Sequence, residues 1–207
     1  MTNPIQHQDE ADPMSDVSHD QGRYTRTAML LHWLVAALII GNVVLIWTVD
    51  LLPDEAVRPV IDTHKSIGIT VLGLAVLRLL WRFAHPPPAL PSSYPRLERL
   101  GAHAAHMALY GLIFCLPLSG WLHDSAWKEA GTHPMYLFGL FEWPRIGAIG
   151  HFDPVTQDWL HGLLGTVHAT FGYILYALLA LHVFGALKHQ FLDGHAELQR
   201  ILPWGGS

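Results

Sequence analysis

Charge is what this chain has least of. Asp, Glu, Lys and Arg make up 14% of its 207 residues, against roughly 25% in an ordinary soluble domain. So few charges exclude a fully solvated surface, and with 51% hydrophobic residues and a mean hydropathy of +0.26 they fit a chain whose solvent is largely lipid. Cysteine is nearly missing as well. Cys115 stands alone, which excludes an intrachain disulfide, a multi-cysteine metal site and an iron–sulfur cluster. There is no Cys-x-x-Cys-His run, and no nucleic-acid partner is expected. What the chain has in excess is histidine: fifteen residues, against twelve Lys and Arg together.

Residues 1–22 are polar and acidic (Asp9, Glu10, Asp12, Asp16, Asp20). They lack the basic and apolar regions of a signal peptide, and they read as a disordered cytoplasmic tail in which His7 and His19 are simply solvated. Residues 23–203 read as one transmembrane domain, followed by a short tail, 204–207.

Three stretches carry no Asp, Glu, Lys or Arg: 23 residues between Arg26 and Asp50, 24 between Arg99 and Asp124, and 29 between Asp158 and Lys188. Each exceeds the ~20 apolar residues that cross a hydrocarbon core as a helix. A fourth span is expected from Pro59, a residue suited to the first turn of a helix, to Phe83. Arg78 and Arg82 would lie near its end, where long basic side chains snorkel, and Pro86-Pro87-Pro88 stops it. The expected fold is thus an all-α, up-and-down four-helix membrane bundle with spans at about 27–49, 59–83, 99–122 and 159–187. Arg23, Arg26, Arg82, Arg96, Arg99, Lys188 and Arg200 flank one end, while Arg58, Lys65, Lys128 and Arg145 are spread over longer loops at the other. The positive-inside rule then puts both termini in the cytoplasm. The loop from about 123 to 158 should face outward, with Trp127, Tyr136, Trp143 and Trp159 suited to an interfacial belt or to an ordinary folded loop.

Eight histidines fall within the spans: His32, His64, His103, His106, His161, His168, His182 and His189. Ionisable groups at membrane depth are costly and usually face the bundle interior with a function. The last span places His161, His168, His182 and His189 at separations of 7, 14 and 7 residues, one slowly drifting helical stripe. His168 and His182 share a face but lie ~21 Å apart along the axis, too far for a single metal. Two cofactors stacked across the membrane can each take one of them. Every iron would need a second histidine at matching depth. His32 matches His182. His64 roughly matches His168, although by depth His161 competes for the same place. Four residues after His32, His64, His168 and His182 come Ala36, Gly68, Gly172 and Ala186, neighbours small enough to leave room for a flat macrocycle. His161 also passes this test, with Gly165, and tight helix packing would use the same residues. Zinc would want a compact tetrahedral cluster. Histidine alone, in two layers and without covalent attachment, points to two non-covalent b haems. Two imidazoles filling both axial positions favour electron transfer over oxygen binding.

The segments Arg23-Tyr24-Thr25-Arg26, Leu31-His32-Trp33-Leu34, His64-Lys65-Ser66-Ile67-Gly68, Arg78-Leu79-Leu80-Trp81-Arg82 and Pro86-Pro87-Pro88 resemble the prokaryotic cytochrome b561 family. So do His103 and His106 followed by Leu109-Tyr110, and His168 and His182 followed by Ala186-Leu187-Lys188-His189. The likeness spans about residues 23–203. It implies four transmembrane helices in the bacterial inner membrane and two b haems, the cytoplasmic one on His32 and His182 and the outer one on His64 and His168. It thereby favours His168 over His161. It also implies exchange of electrons with quinones, superoxide being one known donor in the family.

The expected function is a two-haem relay between an outer-side donor, superoxide among the candidates, and the membrane quinone pool, ubiquinone above all. His106, His189 and Arg96 are candidates for holding the quinone and supplying protons, since histidine titrates near neutrality. His103, His106 and His189 could equally bond haem propionates or backbone carbonyls. Arg78 could pair with a propionate, and Lys65 could attract an anionic donor. A rival reading is an anchor subunit serving a soluble dehydrogenase or hydrogenase. A histidine-lined metal transporter is a third, and it lacks acidic ligands near the midplane.

Overall fold

The computed structural model describes residues 22–89, 94–194 and 197–203; of the expected tails at 1–22 and 204–207, all but Gly22 lie outside them. Four helices long and apolar enough to cross a membrane form an up-and-down bundle: α1 (Arg26–Thr48), α2 (Asp54–Ala84), α3 (Arg96–Ser125) and α4 (Pro154–Phe191). A short α5 (Glu197–Ile201) follows. Consecutive long helices pack along their lengths, whereas α4 barely meets the backbones of α1 and α2. The interior between α4 and the α1–α2 pair is therefore left to side chains.

Local chemistry sets the helix ends. Thr25 caps α1 by accepting from the Ala28 amide at 3.3 Å. Asp153 caps α4, its carboxylate accepting from the amides of Val155 and Thr156, with Pro154 at the first helical position. The Thr156 hydroxyl and those amides hold the Asp153 carboxyl below its ordinary range. α2 starts five residues before Pro59, at Asp54. Pro53 takes the cap position and Asp54 and Glu55 face the positive end of the helix dipole, so Pro59 sits inside the helix at the cost of one backbone bond. At the far end the His85 amide closes on the Trp81 carbonyl at 2.8 Å before the three prolines.

Few residues are buried, among them Met29, Val35, Ile69, Val71, Ala75, Leu112, Ile113 and Leu175. Large apolar side chains such as Leu30, Val44, Trp47, Phe83, Met107, Tyr173 and Phe184 are exposed along the helices, as expected where the outer face meets hydrocarbon.

Each end of the bundle has its own closure. At the end bearing both termini, the Arg23 guanidinium donates to the Leu202 carbonyl (2.9 Å) and Trp33 to that of Ile201 (3.0 Å), so the chain behind α5 lies against the start of α1. At the opposite end, the α3–α4 loop carries a hairpin, β1 (Tyr136–Leu137) and β2 (Phe141–Glu142). Its turn uses positive φ at Phe138 (51°) and Gly139 (71°). The strained Phe138 is pinned because its amide donates to the buried Ser66 Oγ at 3.0 Å. Asp124 anchors the loop further, bridging Lys65 and Arg145 at 2.7 Å each. Arg145 then donates to the carbonyls of Ala130 and His133. Trp127 lies under the Arg58 guanidinium and Trp143 packs on Trp121. These two serve the loop's own packing, while Tyr136 and Trp159 stay exposed.

Candidate haem-binding site

α4 presents its histidines toward the other helices at two heights, with Leu175 buried between them. At the loop end the rings of His64 on α2 and His168 on α4 lie 6.1 Å apart, centre to centre. At the termini end those of His32 on α1 and His182 on α4 lie 6.4 Å apart. A metal bonded at about 2 Å to two imidazole nitrogens, each ring centre about 1 Å behind its nitrogen, separates the centres by roughly 6 Å. Both pairs fit an iron held between two histidines. A Cβ on Gly68 would meet nothing within 4 Å, and one on Gly172 only the Tyr176 hydroxyl at 3.9 Å, so there is open space four residues beyond each loop-end histidine.

The loop-end level is braced. His168 Nδ1 lies 3.1 Å from the Leu116 carbonyl and 3.1 Å from Ser119 Oγ. A carbonyl can only accept, so Nδ1 carries the proton and Nε2 keeps its lone pair for a metal. Gly120 leaves room for the ring: a Cβ there would stand 3.1 Å from His168 Cε1. His64 Nδ1 is buried without a hydrogen-bond partner.

His161, the competitor by depth, is engaged elsewhere. Its Nδ1 donates to the His123 carbonyl at 3.0 Å, and His123 Nδ1 donates back to the His161 carbonyl at 2.9 Å. The two rings stack 3.9 Å apart. Gly165, small like the residues beside the other stripe histidines, makes room for His123, whose Cε1 lies 3.0 Å from where its Cβ would be. His123 is a residue that sequence reasoning passed over. It lies beside Asp124 at the end of span three, and nothing in its local spacing announces a partner on α4.

The termini-end level is more polar. The His106 ring meets His182 edge-on at 5.1 Å, and its Nδ1 donates to the Ala102 carbonyl at 2.7 Å, leaving Nε2 as an acceptor. Arg78 donates to the Tyr110 hydroxyl at 3.0 Å, and Arg82 lies over the same ring. Arg78 is held by Tyr110, one helical turn beyond His106 on α3.

His189 belongs to a separate cluster nearer the water. It stacks on Tyr94 and donates to Asp193 Oδ2 at 2.7 Å, with Glu98 at 3.9 Å. Glu98, His189 and Asp193 resemble a metal-ligand triad, but the Lys188 ammonium already bonds both carboxylates, at 3.3 and 2.8 Å. Burial and the Glu197 carboxylate hold the Tyr94 phenol above its ordinary pKa. Arg96 is exposed on the first turn of α3, ~15 Å along the helix from His106. His106 and His189 make separate contacts, and His103 is exposed on α3. The expectation that Lys65 offers a free charge to an anionic donor is corrected: its ammonium is taken by Asp124 and Asp62 and is largely covered.

Comparison with known proteins agrees with this architecture. A family profile described as prokaryotic cytochrome b561 matches residues 23–204. Cytochrome b561 homolog 2 of Escherichia coli is 35% identical over 182 residues, covering 87% of this chain and 91% of the relative. The probable superoxide oxidase CybB of Yersinia pestis is 27% identical over 190 residues, covering 87% and 96%. Cytochrome b561 homolog 1 of Escherichia coli is 22% identical over 184 residues, covering 87% and 97%.

Proposed function

The chain belongs to the prokaryotic cytochrome b561 family, integral membrane haem b proteins of electron transfer, and from that premise we propose a two-haem cytochrome linking an outer-side donor to the membrane quinone pool. The observation that carries this is the pair of ~6 Å histidine–histidine gaps set 14 residues apart on α4. His64 and His168 would hold the haem iron at the loop end, and His32 and His182 the one at the termini end. Bound haem supplies a one-electron iron couple at each level.

The chain's own residues do the rest. The Leu116 carbonyl and Ser119 hold the His168 tautomer that leaves Nε2 free. Arg78, steadied by Tyr110, offers its guanidinium to a haem carboxylate at the termini end. The quinone head is assigned to the same end. His106, whose Nδ1 is bonded to the Ala102 carbonyl, would keep Nε2 to accept a proton there, while His189, with Asp193 and Glu98, holds a proton nearer the water. Arg96 has no role in this arrangement. The density of basic residues at that end favours a cytoplasmic orientation for both termini.

The name of the Yersinia relative supports superoxide as a donor for this chain. Reduced-minus-oxidised spectra with pyridine haemochrome quantitation test the assignment: two b haems per chain are expected, and one or none overturns it. Superoxide-dependent quinone reduction by the purified protein then tests the donor, and its absence would favour service as an anchor for a dehydrogenase partner.

A further inference from the structure

Two of the sequence motifs take no part in either histidine level. Arg23-Tyr24-Thr25 precedes α1 and Pro86-Pro87-Pro88 follows α2, yet the fold brings them together. With Ala28 and His85 they line an open-mouthed pocket of about 120 Å³ at the termini end.

The pocket is cationic and has no acid in its lining. Arg23 uses one terminal nitrogen on the Leu202 carbonyl, but its Nε is buried without a hydrogen-bond partner. Among the described residues no carboxylate lies within 4.0 Å of its guanidinium. A half-buried guanidinium with no carboxylate beside it leaves the pocket with an uncompensated positive charge, which favours an anion. Thr25 Oγ1 already accepts from Trp81 Nε1 (2.8 Å) and from the Ala28 amide (3.3 Å). Its own proton therefore remains to be donated. The exposed His85 ring is steadied by stacking on Trp81 at 4.0 Å. The proline wall offers no N–H and is apolar.

Position identifies the anion. The pocket sits where α1 begins and α2 ends, at the boundary between hydrocarbon and water. The last turns of α2 expose Leu80 and Phe83 to the lipid side. We propose that this pocket binds the phosphate of a membrane phospholipid, taken by the Arg23 guanidinium, the Thr25 hydroxyl and the His85 ring, with the acyl chains along the end of α2. A neutral quinone head would leave the guanidinium uncompensated. The inference rests on the membrane fold and is independent of the two-haem assignment.

The test is native mass spectrometry of the delipidated, haem-loaded full chain titrated with phosphatidylglycerol. One tightly retained lipid is expected, with R23Q weakening retention about tenfold, the ~1.4 kcal/mol of one charge-assisted hydrogen bond. Because Arg23 also holds Leu202, H85A provides a second variant, expected to weaken retention several-fold. Both variants should keep the wild-type haem spectrum. Equal retention of phosphatidylglycerol by wild type, R23Q and H85A would overturn the proposal. So would equal binding of diacylglycerol, which lacks the phosphate, or displacement of the lipid by a short-chain quinone. Displacement by millimolar inorganic phosphate would reassign the pocket to a free anion and overturn the lipid.

Discussion

His168 at the loop end is held by a carbonyl, a hydroxyl and a glycine that admits its ring, beneath a loop stapled to the bundle through Ser66 and Asp124. His182 at the termini end has another imidazole, His106, edge-on at 5.1 Å, one turn before the Tyr110 that Arg78 bonds. One level is positioned by rigid neutral contacts and the other sits among charges and proton-holding groups. Contacts of the first kind would fix the tautomer and orientation of a histidine that holds a metal. A polar surround suits exchange with a ligand that takes up protons together with electrons.

Removing the ligands should split the two levels most completely. H168A and H182A are each expected to reduce the haemochrome count from two to one, with different absorption bands lost. Loss of the same band in both, or no loss, would erase the distinction between levels. Next in size is D124N. It leaves Lys65 and Arg145 facing each other without the carboxylate, and a broken buried pair costs about 3–5 kcal/mol. A clear fall in melting temperature is expected, with the loop-end haem lost first on heating, and an unchanged melting temperature would remove the loop from the comparison.

G120A is a finer probe. Its Cβ would press on His168 Cε1, so the loop-end haem should shift in potential and in electron paramagnetic resonance signature while the other stays put. R78Q is the mirror experiment. A unit charge acting over ~10 Å at an effective dielectric near 20 is worth on the order of 1–2 kcal/mol, or some tens of millivolts for one electron. A redox titration should show the termini-end potential falling and the loop-end potential unmoved.

The smallest effect concerns pH. A hydrogen bond from Lys188, and next one from His189, hold the Asp193 carboxyl below its ordinary value. A depressed carboxyl contributes stability that is fully present above its unfolded pKa of about 4 and is lost as pH falls through the lower folded value. Hydrogen exchange over residues 188–194 should therefore rise below about pH 4. D193N should show the faster exchange at every pH, without that step.

Much of this was legible in the residues. A scarcity of charge, uncharged runs of the right length and the 7, 14, 7 spacing of histidines on the last span are one-dimensional signals. Lipid and helical periodicity turn them directly into four helices and two depths. The start of α2 was misread because Pro59 is a common opening residue, whereas Pro53 with Asp54 and Glu55 made the better start. The competition between His161 and His168 could not be resolved by depth and small neighbours, since Gly165 and Gly172 look alike in sequence.

The sequence by itself determined the membrane solvent, the number of helices and the two levels of histidine, because burial and helical repeat act along a single strand of chain. Which imidazoles face each other, that His123 claims His161, that Lys65 is neutralised by Asp124, and that two distant motifs share one pocket were decided only by tertiary structure. These depend on distances between helices, and hydrogen bonds and ion pairs act over a few ångströms in space with no regard for separation along the chain.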